Sequence, residues 1–318
     1  MTSHPIINTA LPSDVDMALF DAPEETALPV SLAARFVVPP FSVLDRRTGD
    51  WDKRKQKWLS LGIESEQGRG ELLTYTTDRG SEGWREVSAG RAPSTSVFDP
   101  VLCELAYRWF SNEGDAVLDP FAGGSVRGIV ASSLARRYVG IELRPEQVEA
   151  NRTQDHLGSS LVPEWIEGDA RRAADLLDDA EFDLVFTCPP YADLEIYSDD
   201  PRDLSNMPYD QFIEGYGLAI AGAARHLRRD RYFIVVISDV RDRTGNYRGL
   251  VSDTVKVAQG CGLHLYNDLI ALDRTTTAAL RASNAFRNRK VVRAHQHMLV
   301  FVKGDGKAAA RRLNKATA

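Results

Sequence analysis

Residues 116–130 read "AVLDPFAGGSVRGIV": a short apolar run, an acid and a proline, a pair of glycines, then apolar positions resuming at helical spacing. Ala116 to Leu118 predict a strand, and Ser125 to Leu134 predict a helix. Between them, Gly123 and Gly124 let the backbone turn tightly and approach a ligand closely, while the amino end of the helix supplies N–H donors. Such a turn suits any nucleotide cofactor, and a purely structural turn could carry the same residues. The stretch therefore fixes a strand–turn–helix unit before it fixes a ligand.

The same alternation extends in both directions. Upstream, "FDPVLCELAYRWF" has apolar positions at helical spacing. Downstream, Tyr138 to Ile141 predict a strand, Pro145 to Arg152 a helix with proline in its first turn, and Trp165 to Glu167 and Phe182 to Phe186 two strands. A helix from Tyr209 to Leu227, a strand Tyr232 to Ile237, a helix near Leu250 to Gln259, and strands Leu263 to Leu272 and Met298 to Val302 complete the series. This is an α/β pattern: a doubly wound, mostly parallel, seven-stranded sheet covered on both faces, with right-handed crossovers. Ligands on such sheets bind at the carboxyl ends of the strands.

Three successive strand ends carry acids: Asp119, then Glu142 in "YVGIELRPEQ" about twenty residues on, then Asp169 in "IEGDARR". At the second position a carboxylate can accept hydrogen bonds from ribose hydroxyls, and at the third it could meet an adenine amino group. One such acid is unremarkable, whereas three in register define a site. The fourth strand leads into "EFDLVFTCPPYADLEIYS", residues 181–198. Pro189 and Pro190 lack backbone donors, so they cannot continue a sheet ladder, and they stiffen the chain just past the strand end. A Pro-Pro strand terminator followed by a buried tyrosine is the bland alternative.

Composition narrows the class. The chain has 318 residues and 43% apolar content, enough for a sizeable core. No run of about 18 apolar residues is present to span a bilayer, and the N-terminus lacks the pattern of a secretory signal; the cytoplasm is the expected compartment. The three cysteines are far apart with no C-x-x-C spacing, so neither a disulfide framework nor a zinc site is suggested, and no metal is expected. Net charge is −6, but it is unevenly distributed: Ala271 to Ala318 hold 11 Lys and Arg against 2 acids. A second basic cluster, "DRRTGDWDKRKQKW", interleaves Trp51 and Trp58. Both are candidates for a phosphate-facing surface, although a charge run is more often a solvated helix face.

The combination of motifs resembles the amino-group DNA methyltransferases, which transfer a methyl from S-adenosylmethionine to adenine N6 or cytosine N4. "VLDPFAGG" resembles their D-P-F-x-G-x-G cofactor loop, "TCPPY" their [D/N/S]-P-P-[Y/F] catalytic tetrapeptide, "STSVFDPVLCELAYRWF" the helix that closes over the methionine end of the cofactor, and "HQHMLVFVKGD" their final strand. The resemblance covers about residues 94 to 305. It implies a Rossmann-like class I methyltransferase fold, S-adenosyl-L-methionine as cofactor, double-stranded DNA as partner and no membrane. It leaves open whether a cognate restriction endonuclease accompanies the enzyme. The cofactor residues it implies are Thr95, Ser96, Phe98, Asp119, Pro120, Phe121, Ala122, Gly123, Gly124, Glu142 and Asp169; the catalytic ones are Cys188, Pro189, Pro190 and Tyr191.

The chemistry gives the prolines a purpose. An exocyclic base amine is a poor nucleophile because its lone pair is delocalised into the ring. Backbone carbonyls at Cys188 and Pro189 that accept its hydrogens would let the nitrogen pyramidalise, and the prolines would hold that geometry rigid. Tyr191 would stack on a base flipped out of the duplex. Two positions depart from the family pattern. Ser125 stands where a second glycine is expected and could cap the helix. Cys188 stands where Asp, Asn or Ser is usual; a thiol is a weak acceptor, so it reads as a small neutral substitute rather than a nucleophile. "TCPPY" lies closer to cytosine-N4 patterns than D-P-P-Y does, without deciding the base. RNA or protein-glutamine methylation, and a catalytically silent cofactor- or DNA-binding module, are the alternatives.

The domain reading follows: a flexible arm over 1–30; an irregular extension over 31–93, for recognition or oligomerisation, with "QGRGELLTYTTDRGSEGW" as a hairpin; the methyltransferase domain over 94–305; and a frayed basic tail over 306–318. Within the domain, the basic insertion 273–295 is the favoured DNA contact, through Arg281, Arg287, Arg289, Lys290 and Arg293. The acidic loop "ADLEIYSDDPRDLSNM" is expected to face the site or a basic element, since its charges would repel a DNA backbone.

Overall fold

Strand Ala116–Asp119 (β2) is buried along its whole length, which is why four residues suffice. It pairs in parallel with Arg137–Glu142 (β3) on one side and Phe182–Thr187 (β5) on the other. Glu164–Glu167 (β4) extends the sheet beyond β3, and Leu227–Ile237 (β6) pairs in parallel with β5. His295–Lys303 (β8) then inserts antiparallel between β6 and His264–Leu272 (β7). This computed structural model describes residues 31–64, 97–158, 161–192, 197–274 and 276–315. The arm 1–30, the hairpin expected within 67–84, and Thr95 and Ser96 lie outside the described residues.

The seven expected strands are all present, and the sheet has an eighth. Val43–Asp45 (β1), from the N-terminal extension, pairs in parallel with Ile270–Leu272 at the edge. The full order is β1-β7-β8-β6-β5-β2-β3-β4. Three residues carry too little periodicity to be seen in the sequence, and only the exposed end of β7 gives them a partner. The adjoining helix Gly49–Leu59 docks on helix Pro100–Phe110 through buried polar contacts. Arg54 Nε and Nη2 donate to the two oxygens of Glu104 at 2.7 and 2.6 Å, Trp58 Nε1 donates to the same carboxylate at 2.8 Å, and Trp51 Nε1 donates to Asp99 at 3.1 Å. Arg54 and the two tryptophans of the basic cluster are thus spent on internal docking, while Arg47, Lys53 and Lys57 remain exposed.

Alternate residues along the strands feed two cores. Val117, Leu184, Phe186, Ile234 and Val300 pack with helices Pro100–Phe110 and Val126–Ser133 on one face. Leu118, Ile141, Val185, Phe233 and Phe301 pack with helices Tyr209–His226 and Leu250–Gly260 on the other. Each fully buried Val, Leu or Phe stabilises by about 1.5–3 kcal/mol. Among the described residues, no helix is long and apolar enough to cross a membrane.

The C-terminal segment is not frayed. Gly306–Lys315 is a helix whose Ala309 is buried and whose Leu313 packs on the core. Arg312 bridges Asp115 and Asp183, at the amino end of the strands. Asp115 takes this arginine as its cation, and Asp183 shares it with Arg228 and Arg231.

Candidate active site

Asp119 ends β2 fully buried, and every side of its carboxylate is occupied. It accepts from Phe121 N (3.1 Å), Tyr138 Oη (2.9 Å), Thr187 Oγ1 (2.7 Å) and Arg127 Nε (2.5 Å). Arg127 also donates to the carbonyls of Phe121 and Ala122 at 2.5 and 2.8 Å, and its guanidinium lies 4.7 Å from the Phe98 ring centroid. Burial works against the charged guanidinium, but Asp119 outweighs it and holds the Arg127 pKa above the ordinary arginine value. Asp119 and Arg127 therefore form a buried ion pair that holds the shape of the Pro120–Gly124 turn. Asp119 was expected as a cofactor contact; the structure makes it the anchor beneath the loop. Arg127 gave no signal in the sequence, because an arginine in a helix is normally read as surface.

Two glycines are required here. Gly123 has φ +53°, the left-handed region, and its N–H donates to Glu142 Oε2 at 2.9 Å. At Gly140 a Cβ would sit 2.8 Å from Ala122 Cβ and from the Tyr138 ring, so a side chain would break the contact that lets Tyr138 reach Asp119. Glu142 receives a second N–H from Arg144 at 3.0 Å, leaving further acceptor capacity on each oxygen. Burial raises its pKa above the usual glutamate value, against the lowering effect of those two amides. Asp169 is held by Arg171, whose Nε and Nη2 reach its two oxygens at 2.9–3.0 and 2.6 Å. Ser125 sits at the helix amino end but does not cap it; its buried hydroxyl donates to Gln154 at 3.1 Å, because the side chain points into the core.

Past Thr187, residues Cys188–Tyr191 turn across the carboxyl end of β5. Ala192 then adopts φ +51°, a sharp left-handed bend directly after the motif. Cys188 Sγ lies 3.6 Å from Tyr191 Oη, which also receives a hydrogen bond from Gln296 Nε2 at 3.3 Å. Burial raises the Tyr191 pKa well above the usual tyrosine value, so its hydroxyl stays neutral. Gln296 belongs to β8 and in turn accepts from Arg46 Nη1 at 3.2 Å. Arg46 ion-pairs with Asp99 at 3.4 Å and Asp273 at 3.2 Å, so the extension closes one wall. Sequence reasoning missed Arg46, Asp273 and Gln296, whose meeting depends on the pairing of β1 with β7.

These groups line one cavity of about 420 Å³, within the size range of small-molecule sites, roughly 300–1,000 Å³. Phe98, Pro120, Phe121, Gly123, Gly124, Glu142 and Asp169 lie in the same cavity as Cys188, Pro189, Pro190 and Tyr191. Asp119 and Ala122 are packed behind it. The acidic loop contributes Tyr197, Arg202 and Asp203 to the wall, and Asp200 pairs with Arg202, in line with the expectation that it faces the site. Arg281, Arg287 and Arg289 are exposed on the insertion, whose centre is helix Thr276–Arg287. Lys290 and Arg293 are half-buried at its end.

A family model described as DNA methylase matches residues 94–153, the stretch that holds the Pro120–Gly124 turn and Glu142. Over these residues the chain is similar to DNA methylases. Among curated proteins, Type II methyltransferase M2.DpnII of Streptococcus pneumoniae is 29% identical over 105 residues, 32% of this chain and 37% of that protein. DNA adenine methyltransferase YhdJ of Escherichia coli K12 is 49% identical over 39 residues, 12% and 13% of the two chains. The matched stretches thus span little more than a third of these relatives' length, or less. Among solved structures, TrmN from Thermus thermophilus aligns with a TM-score of 0.44 and 15% identity over 65% of this chain and 49% of that one. The DNA methylase family uses S-adenosylmethionine, and the residues present fit it. An acid with spare acceptor capacity stands at the β3 end, and the apolar Phe98, Phe121, Leu143 and Leu204 line the same cavity together with the glycine turn.

Proposed function

We propose that this protein is a DNA methyltransferase acting on the exocyclic amine of adenine or cytosine in duplex DNA. The observation that carries the reading is that the Pro120–Gly124 loop and Glu142 share one cavity with Cys188–Tyr191. S-adenosylmethionine bound there would supply an electrophilic methyl carried on a sulfonium.

The chain's own residues have separable tasks in this reading. Glu142 would take the ribose hydroxyls on its unused lone pairs, and Phe98, Phe121 and Leu204 would enclose apolar parts of the cofactor. The carbonyls of Cys188 and Pro189 would accept the hydrogens of the target amine, localising its lone pair, and the paired prolines would hold them fixed. Tyr191 would stack on the extruded base. Its hydroxyl contacts Gln296 and Cys188, which would preset the ring for that stacking. The exposed Arg281, Arg287 and Arg289, with Lys290 and Arg293, would contact phosphates.

The experiment is to incubate the protein with unmethylated duplex DNA and methyl-labelled S-adenosylmethionine, digest to nucleosides and identify the labelled product by mass spectrometry. Labelled N6-methyladenine or N4-methylcytosine is the expected result and names the base. Cofactor binding with label in neither nucleoside would overturn the reading, and the same incubation with RNA would then test the nearest alternative.

A further inference from the structure

Beyond β6 the chain forms a hairpin that none of the site residues above includes. Arg248 N donates to Val240 O at 2.9 Å, Arg241 bridges Tyr247, and Asp242 N donates to Asn246 O at 2.9 Å. The turn is closed by Gly245 N on Asp242 O at 3.0 Å and by Thr244 Oγ1 and Asn246 N on Asp242 Oδ1 at 2.7 and 2.9 Å. The base is closed by Asp239, whose Oδ1 takes the N–H groups of Val240, Gly249 and Leu250 at 2.9–3.1 Å. Both acids of the hairpin are therefore turned onto its own backbone. A hairpin this short needs such internal ties to stand rigid.

Its cations point elsewhere. The Arg241 guanidinium lies 3.8 Å from the Tyr247 ring centroid, and Arg293, from the end of the basic insertion, lies 4.9 Å from the same ring. Tyr247 is 43% exposed, Arg243 at the tip is exposed, and Lys290 lies against Gly245. Among the described residues, none of Arg241, Arg243, Arg289, Lys290 and Arg293 makes an ion pair with a carboxylate. Most arginines of the rest of this acidic chain do, including Arg46, Arg54, Arg127, Arg171, Arg202 and Arg312. Two guanidiniums gathered on one ring, without an acid to neutralise them, concentrate positive charge that a polyanion would relieve.

The position is as telling as the charge. Ile237, where β6 ends, pairs with His297, Ser238 Oγ donates to His295 O at 3.5 Å, and Gln296 between those two histidines lines the cavity and touches Tyr191. The hairpin therefore rises from the same rim as the catalytic tetrapeptide, one strand over. Resting on the methyltransferase reading, we propose that the hairpin Val240–Arg248, braced by Arg293, is the element that docks on the DNA duplex flanking the target base. Arg243 is carried at the tip of a two-stranded ribbon, a shape that the major groove admits. Tyr247 is a positioning residue that fixes Arg241 and Arg293 to meet phosphates.

The test is duplex-DNA affinity, measured by fluorescence anisotropy over a range of salt concentrations, together with the DNA KM, for Arg243→Ala, Arg241→Ala and Tyr247→Ala. Arg225→Ala, exposed at the opposite end of the sheet, is the control. Each arginine variant should weaken binding several-fold and reduce the slope of log K against log salt by about one. Tyr247→Ala should also weaken binding, and Tyr247→Phe, which keeps the ring, should restore it. Cofactor affinity should stay unchanged throughout, since none of these residues lines the cavity. If the wild type methylates DNA while these variants keep its DNA KM and salt slope, the hairpin assignment is wrong. If the wild type methylates no DNA, the underlying reading fails first.

Discussion

The hydroxyl of Thr187 donates to Asp119 Oδ1 at 2.7 Å across the β2–β5 pairing, so the residue before Cys-Pro-Pro-Tyr is tied to the acid that opens the Pro120–Gly124 turn. Both groups are fully buried. Thr187→Val should leave Asp119 short of a donor and destabilise by about 1–3 kcal/mol in urea unfolding, while Thr187→Ser should recover most of the loss.

Removing the other partner of Asp119 should cost more. Arg127→Met leaves a buried carboxylate uncompensated and should destabilise by about 3–5 kcal/mol. Adding Asp119→Asn to Arg127→Met should recover part of that loss. A double-mutant cycle by denaturant unfolding measures the coupling, and strict additivity would mean that the pair is not the support described here.

Within the proposed catalytic motif, Cys188 and Tyr191 have separable roles. Tyr191→Ala should reduce kcat at least tenfold, about 1.4 kcal/mol, with little change in cofactor affinity; equal loss of both would remove the base-stacking role. Tyr191→Phe keeps the ring and should retain most turnover. Cys188→Ser should remain active, since the backbone carbonyl rather than the thiol is assigned the work, and steady-state kinetics decide both points.

Glu142 couples function to pH. Burial raises its folded-state pKa above the unfolded value, so the folded state holds its proton more tightly. The stability it contributes therefore falls as pH rises from the unfolded pKa through the folded one. Glu142→Gln cannot ionise, so it should gain stability relative to wild type across that window while losing cofactor affinity. Unfolding free energies of the two proteins from pH 4 to 7, together with cofactor titration at pH 7, test the sign.

The C-terminal helix acts as a fastener. Burial pushes the Asp183 pKa up, but Ala116 N–H, Arg231 and Arg228 outweigh it and leave it below the ordinary value. Its stabilisation is therefore present above the unfolded pKa and is lost as pH falls through the folded one. Arg312→Ala removes a shared cation and should cost on the order of 1–2 kcal/mol, less than a fully buried pair because a quarter of its side chain is exposed. Duplex-DNA affinity should not change, which thermal unfolding and anisotropy on the same variant would establish.

What could be read from the sequence divides along physical lines. Helix Pro145–Arg152 was legible to the residue, because proline at its first turn marks a local preference. The strand end bearing Asp119 was legible because its apolar run is buried on both faces, and those bearing Glu142 and Asp169 because their inward residues Tyr138, Ile141 and Trp165 are buried. The eighth strand was not legible, since three residues of an edge have no period to show. Arg127 and Arg46 were missed for a related reason: a buried arginine is defined by carboxylates brought to it by the fold, and nothing adjacent in sequence announces them. The C-terminal helix looked like a tail because alanine and basic residues suit a solvated end as well as a docked one.

The pairing of β1 with β7 also bears on when the site can exist. Val43–Asp45 waits for Ile270–Leu272, and Arg46 waits for Asp273 and Gln296, partners more than 220 residues away in the chain. Contacts of such separation are slow to form and cannot form at all until most of the polypeptide has been made. During synthesis the wall nearest Tyr191 is consequently the last to close. A nascent chain can fold the glycine turn and its acids early, yet remain open on the side of Arg46, Asp273 and Gln296.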